Sequence, residues 1–332
     1  MEVTGDLTRA VLAEAERLGF SHSGVCGARP PETLTIYRNW IAKGAQGTMD
    51  YLSRSVSLRS DPATLLPGVQ SIIAVGLNYR QSNPAVPGKP RIAMYALGRD
   101  YHKTIRGKLR RLKVFLEGQC PDEEFRICVD SAPILEREYA QRAGLGWFGK
   151  NTCLIDSRQG SFFLIGFLLT TARLATSKPA EGGCGTCRIC IDACPTGAIV
   201  FEEERWQVDA RSCVSYLTIE HKGPIPGDLQ TGIGDWTFGC DVCQDVCPFN
   251  TPRSSQPLRG QPTVEPDFLA TRDWPDLERL AVIQEQEWDE LTRGSALRRA
   301  GLEGLRRNAK INLQNAQVPS QGAQRRKLDL NG

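Results

Sequence analysis

Seven of the chain's twelve cysteines stand in two phased runs. The first reads Cys184-Gly-Thr-Cys187-Arg-Ile-Cys190-Ile-Asp-Ala-Cys194-Pro195, and the second Cys240-Asp-Val-Cys243-Gln-Asp-Val-Cys247-Pro248. An eighth, Cys213, lies alone between them. The first run has the C-x2-C-x2-C-x3-C-P spacing of bacterial ferredoxins, in which the last cysteine serves the other cluster. The second run lacks one thiolate, which Cys213 is placed to supply. Two sets of four result: Cys184, Cys187, Cys190 and Cys247 for one 4Fe-4S cluster, and Cys194, Cys213, Cys240 and Cys243 for the other. Turns with two intervening residues bring soft thiolates together from one local loop, as a cubane requires. Structural zinc takes two separated C-x2-C pairs and would leave Cys190 surplus. Disulfides suit small secreted domains, and this chain is not small. The other four cysteines (Cys26, Cys120, Cys128 and Cys153) are scattered and read as buried small residues.

Clusters alone move electrons, and a simple electron carrier has no use for the large segment before residue 176. The candidate for proton chemistry there is Asp130, at the end of an apolar run, where α/β sheets place their ligands. The alternative is that Asp130 or Ser131 caps a following helix.

The elements that must hold these groups follow from apolar spacing. Residues 6–18 carry Leu7, Val11, Ala15 and Leu18 on one helical face, with Gly19 as the stop. The unbroken apolar run 71–77 is a buried strand. Ile105, Leu109, Leu112 and Leu116 mark a helix over 103–116 with a basic outer face. A strand over 125–129 leads into a helix from Ser131, with Pro133 in its first turn and Gly144 closing it. Residues 161–171 form another strand. Strands alternating with helices predict α/β layers. Residues 251–266 form a linker rich in Pro, Ser and Gln, and residues 288–314 one helix. The predicted organisation is an α/β (α+β) domain over 1–175, a ferredoxin-like dicluster domain over 176–250, and a linker with a basic helical segment over 251–332.

With 40% hydrophobic and 24% charged residues the chain is an ordinary globular one. The first twenty residues lack the apolar core of a signal peptide and an Arg-Arg pair, and the longest apolar run, 162–169, is too short for a bilayer. A reducing cytoplasm, no membrane partner and a monomer are therefore expected. The net charge is only +3, but nine basic residues against Glu303 between Arg293 and Lys327 put +8 on the tail and leave −5 for the body. Such a tail suits a polyanion, and its alternative is a solvated helix face.

Four blocks resemble the epoxyqueuosine reductase family. They are Tyr95-Ala-Leu-Gly-Arg-Asp100-Tyr-His102, Cys128-Val-Asp130-Ser-Ala-Pro-Ile-Leu-Glu-Arg137, Gly144-Leu-Gly-Trp147-Phe-Gly-Lys150-Asn151-Thr152, and Cys213-Val-Ser-Tyr-Leu-Thr-Ile-Glu-His-Lys222-Gly. The resemblance implies a cobalamin enzyme that reduces the epoxide of epoxyqueuosine at the tRNA wobble base to the cyclopentene of queuosine. It places the general acid on Asp130, and Asp130, Asn151, Thr152, Leu154, Ser215 and Asp241 near the corrin. It places Tyr101, His102 and Lys222 on the nucleotide side. The anticodon stem-loop is the implied partner, with Arg298, Arg306 and Arg307 of the basic tail meeting its phosphates, alongside Arg299 and Lys310. A low-potential electron donor of unidentified type is also implied. Histidine-ligated cobalamin proteins carry D-x-H-x-x-G; after Asp100-Tyr-His102 come Lys103, Thr104 and Ile105, so His102 is expected against substrate rather than cobalt. Longer family members carry additional helical repeats, so a smaller tRNA footprint is expected.

Two rivals remain at this level. A dicluster ferredoxin-type carrier would bind no corrin. A reductive dehalogenase type of cobalamin and 4Fe-4S enzyme would usually carry a twin-arginine signal.

Overall fold

The computed structural model describes residues 2–269 and 272–317. Arg325, Arg326 and Lys327 of the basic tail lie outside them. Helix α1 (Glu2–Arg17) leads into strand β1 (His22–Gly27), and Gly19 turns the chain between them with φ of 86°. Strand β2 (Ser71–Asn78) follows, then helix α2 (Tyr101–Gln119), strand β3 (Phe125–Cys128), helix α3 (Glu136–Arg142) and strand β4 (Phe163–Thr170). These strands form one sheet in the order β1-β2-β4-β3.

Helices cover both faces of the sheet. On one face Val11, Ala15 and Leu18 of the α1 region and Ile105, Leu109, Leu112 and Leu116 of α2 pack on Val25, Ile73, Val75 and Leu168. On the other, Tyr139 and Ala140 of α3 pack on Cys26, Ile72, Ala74, Cys128 and Phe167. Burial on both faces explains why β2 reads as a continuous apolar run rather than an alternation. Each such side chain removed from water contributes about 1.5–3 kcal/mol. Close approach of α2 to β4 depends on Gly166, where an added Cβ would come within 2.6 Å of Ile105.

The layers match the sequence expectation of an α/β (α+β) domain, and strand direction decides between its two forms. All three neighbouring pairs in this sheet are antiparallel, which makes the fold α+β. Apolar spacing reports which faces are buried and carries no information on direction. The helix expected from Ser131 begins only at Glu136. Residues 130–135 form bends instead: Asp130 is left-handed, with φ of 53°, and Pro133 disfavours a helical residue before it. The single C-terminal helix is also broken into Glu285–Thr292, a tight turn at Ala296–Ala300, and a long helix. The breaks fall at Gly294 and Gly301, both with positive φ.

The two cysteine runs each make a turn followed by a one-turn helix, Ile189–Asp192 and Val242–Asp245. Between them lie a hairpin (Ile199–Glu202 with Arg205–Val208), helix α4 (Val214–Ile219) and strand β5 (Trp236–Phe238). β5 pairs with Arg91–Ile92, and the Met94 N–H donates to Asp241 at 2.7 Å, so the cysteine-rich part is stitched to the first part of the chain. Helix α5 (Gly301–Gln317) packs on α4 and β5, where the buried Asn308 amide donates to the carbonyls of Thr218 and Thr237. Among the described residues no helix is long and apolar enough to cross a membrane.

Candidate active site

The turns bring the thiols into two groups. Cys184, Cys187, Cys190 and Cys247 line a cavity of about 290 Å³ together with Lys150, Ile155 and Phe249. Burial, and then the neighbouring thiols Cys184, Cys247 and Cys187, push Cys190 up to about 11. Lys150 anchors the turn by donating to the carbonyls of Gly185 and Cys187 at 2.7 and 2.8 Å. In the second group, burial and the nearby Cys213 and Cys194 push Cys240 up to about 12, and Cys243 senses both Cys240 and Cys213. So many buried thiols ionise together only around a cationic core, because an uncompensated buried charge is costly. Among the described residues no three His, Cys, Asp or Glu are spaced to hold a single metal ion. Four soft thiols in each group are the donor set that a 4Fe-4S cubane takes.

The scattered cysteines divide. Cys26 and Cys128 are buried packing residues, as expected. Cys153 is not: its sulfur hydrogen-bonds Cys243, which places a fifth thiol beside the second group. Its distance from both runs in sequence hid this. Asn151 ties the same loop down, accepting the Cys153 N–H at 3.2 Å and donating to the Cys243 carbonyl at 3.1 Å. The other residues expected near a corrin differ in setting. Thr152 is half-buried with φ of 62°, and Ser215 is half-buried on α4 beside Cys213. Leu154 is buried in the core on α3's side of the sheet. Asp241 is 2% exposed, and its burial, opposed by the Met94 N–H, raises it to about 7.

Asp130 sits at the end of a carboxylate–imidazole chain. The His102 Nε2 lies 3.0 Å from Asp130 Oδ2, and its Nδ1 lies 2.7 Å from Asp100 Oδ1. Burial would lower the His102 pKa, but hydrogen bonds to Asp100 and Asp130 outweigh it and hold the imidazole up at about 9. Burial would raise Asp130; His102, the Tyr101 hydroxyl and the Arg299 charge instead hold it below the usual carboxylate value. Glu136 accepts the Asp130 N–H at 2.8 Å, and burial together with the Asp130 charge pushes it up to about 8. The charges of both Asp130 and Asp241 bear on the buried Tyr95, and together with burial they raise its pKa. Both His102 nitrogens are engaged by carboxylates.

The residues expected to meet tRNA are mostly occupied within the chain. Tyr101 stacks on His102 with ring centroids 4.1 Å apart. Lys222 donates to the carbonyls of Arg299 and Ala300. Arg298 pairs with Asp289 at 2.7 Å and lies over Trp288. Arg306 pairs with Glu303 and donates to the Ile283 carbonyl. Arg307 is half-buried and donates to the carbonyls of Leu217, His221 and Gly223. Arg299 turns instead toward Asp130, bonded to Glu220 at 2.8 Å and lying over the Tyr51 ring at 5.2 Å. Neither Tyr51 nor Glu220 has a local sequence signal for such a role, since three remote segments meet there.

Two groups of four thiols on an α+β body are the features of a dicluster iron–sulfur protein. Residues 183–250 match a family described as a 4Fe-4S double cluster binding domain, and residues 59–131 match one described as epoxyqueuosine reductase QueG, DUF1730. An epoxyqueuosine reductase of Xanthomonas campestris is 39% identical over 94% of this chain and 87% of its own length. A crystal structure of epoxyqueuosine reductase with an epoxyqueuosine-modified tRNA-Tyr stem-loop superposes with a TM-score of 0.78 at 28% identity, covering 93% of this chain and 81% of that one. The Bacillus subtilis enzyme, with an aspartate-bearing catalytic loop swung out of its active site, gives 0.77 at 28% identity, over 93% of this chain and 82% of that one. The chain belongs to the epoxyqueuosine reductase family.

Proposed function

We propose that the protein reduces the epoxide of epoxyqueuosine at the wobble nucleotide of tRNA to the alkene of queuosine, with Asp130 as proton donor. The observation that carries the assignment of the acid is the Asp100–His102–Asp130 chain, which ends on a half-exposed carboxylate. The reaction consumes two electrons and two protons and releases one water. Cys184, Cys187, Cys190 and Cys247 hold one 4Fe-4S cluster, and Cys194, Cys213, Cys240 and Cys243 the other. Asp130, Asn151, Thr152, Leu154, Ser215 and Asp241 would hold a cobalamin, a reading supported by the hydrogen bond of Asn151 to the Cys243 carbonyl and by the half-buried polar side chains of Thr152 and Ser215. Bound there, its reduced cobalt supplies a strong nucleophile, and thiolate-ligated clusters, which reach about −700 mV, supply electrons of low enough potential.

The protein's own part is proton delivery and placement. At neutral pH the proton lies on His102, with Asp130 ionised. As alkoxide charge develops on substrate, Asp130 takes the proton from His102 and hands it to that oxygen, leaving the imidazole neutral and the carboxylate ionised again. Asp100 keeps the imidazole oriented and steadies its charge. Glu136, pushed up to about 8, retains a further proton beside the acid at neutral pH, in keeping with a two-proton reaction. The left-handed Asp130, in a segment of bends, suits a loop that opens for the nucleotide and closes over it. A low-potential donor protein reduces the clusters. Protein reconstituted without oxygen with iron, sulfide and cobalamin tests this reading. It should show an Fe–S shoulder and a corrin band, and should reduce an epoxyqueuosine stem-loop. A dicluster carrier would show the shoulder alone.

A further inference from the structure

Three segments converge on Arg299 with more hydrogen bonding than an exposed ion pair warrants. The Arg299 and Glu220 side chains are 55% and 19% exposed, and such a pair contributes only about 0–1 kcal/mol to stability. Yet Lys222 holds the Arg299 and Ala300 carbonyls, and Arg307 holds three carbonyls around Glu220. The segment carrying Tyr51 is fixed from the same side. The Tyr216 hydroxyl accepts the Thr48 N–H at 2.7 Å, and Gly47, with φ of 60°, leaves room that a Cβ would fill at 2.3 Å from that hydroxyl. The outcome is a guanidinium lying on a 41%-exposed aromatic ring, with its Nε committed to Glu220. The stack adjoins the acid: the Arg299 charge bears on Asp130, and the Asp130 charge on Tyr51.

We propose that Tyr51, Arg299 and Glu220 form the subsite that seats the splayed target nucleotide, its base extending the Tyr51–Arg299 stack and its phosphate meeting the outer N–H groups of Arg299. This inference rests on the proposed function and deepens it. An aromatic ring and a guanidinium plane are the surfaces on which unstacked RNA bases settle, and a fork fixed by one carboxylate still presents donors to an anion. Glu220 fixes the angle of the fork. Lys222, expected on the nucleotide side, and Arg307, expected at phosphate, brace this subsite from behind through backbone carbonyls.

The test is binding and steady-state kinetics of the anaerobic holoenzyme with an epoxyqueuosine anticodon stem-loop. Arg299→Gln should weaken binding about tenfold to a hundredfold. It should also reduce the salt slope by about one. Arg299→Lys should restore the slope but not the affinity, because the planar stack is lost. Tyr51→Ala should weaken binding at least about fivefold, as a lost base stack does, whereas Tyr51→Phe should bind normally. If Arg299→Gln disturbs folding, shown by lost iron, the exposed Tyr51 pair decides. Affinity and KM within twofold of wild type for Tyr51→Ala, while wild type turns over the same RNA, would overturn the subsite alone. Wild-type protein that holds both cofactors but leaves the RNA unreduced would instead overturn the parent reading.

Discussion

His102 is charged at neutral pH because two carboxylates grip it from opposite sides, and this sets how Asp130 works. A proton shared along that chain is lost as pH rises through the histidine's pKa of about 9, so turnover should fall on the alkaline side near that value. Stability follows the same sign: with a folded pKa above the unfolded value of about 6.5, the contribution is complete below 6.5 and disappears by about 9. In His102→Asn, Asp130 loses the partner that keeps it ionised and must hold its own proton, so the alkaline limb of the pH–rate profile should move to lower pH. An unmoved limb would remove His102 from proton delivery. Asp130→Asn should keep eight irons and bound corrin while turnover falls by about 10²–10⁴-fold, the usual worth of a general acid. The place of Asp130 after an apolar strand left an acid and a helix cap both open in the sequence, and only the family resemblance favoured the acid. The partner of Asp130 was not legible, because 28 residues separate it from His102, and the Asp-x-His spacing reveals only the Asp100 contact.

At the scale of elements, apolar spacing identified α1, α2 and β2 because each buries a complete stripe or a complete strand. It failed where backbone conformation overrides spacing. Asp130, Gly294 and Gly301 all adopt positive φ, which turned an expected helix start into a loop and split an expected long helix. That loop is what leaves the Asp130 carboxylate half-exposed instead of capping a helix. The basic run at the C-terminal end was visible, but the division of labour within it was not, since the acceptors of Arg307 are carbonyls near residue 220. Arg307→Ala should therefore act on stability. Removing a half-buried cation that satisfies three carbonyls should cost roughly 2–4 kcal/mol, read as a lowered thermal midpoint. Unchanged stability with a reduced salt slope for RNA would return Arg307 to the phosphate-binding set.

Over the whole molecule, the cysteine-rich part is tied to the first part of the chain by β5 and by the Asp241–Met94 hydrogen bond, and Tyr95 senses the charges of both Asp130 and Asp241. Local ferredoxin turns made seven of the expected cluster thiols legible in the spacing, and Cys213 followed as the lone cysteine between the runs; the thiol of Cys153 beside Cys243 became visible only on folding. Cys213→Ser should leave four irons per chain rather than eight, whereas retention of eight would show that Cys153 or another donor replaces it. The most direct measurement is the mass of an epoxyqueuosine stem-loop after anaerobic incubation with reduced protein holding eight irons and one corrin. The RNA should emerge lighter by one oxygen atom. RNA of unchanged mass from protein carrying both cofactors would contradict the enzyme described above.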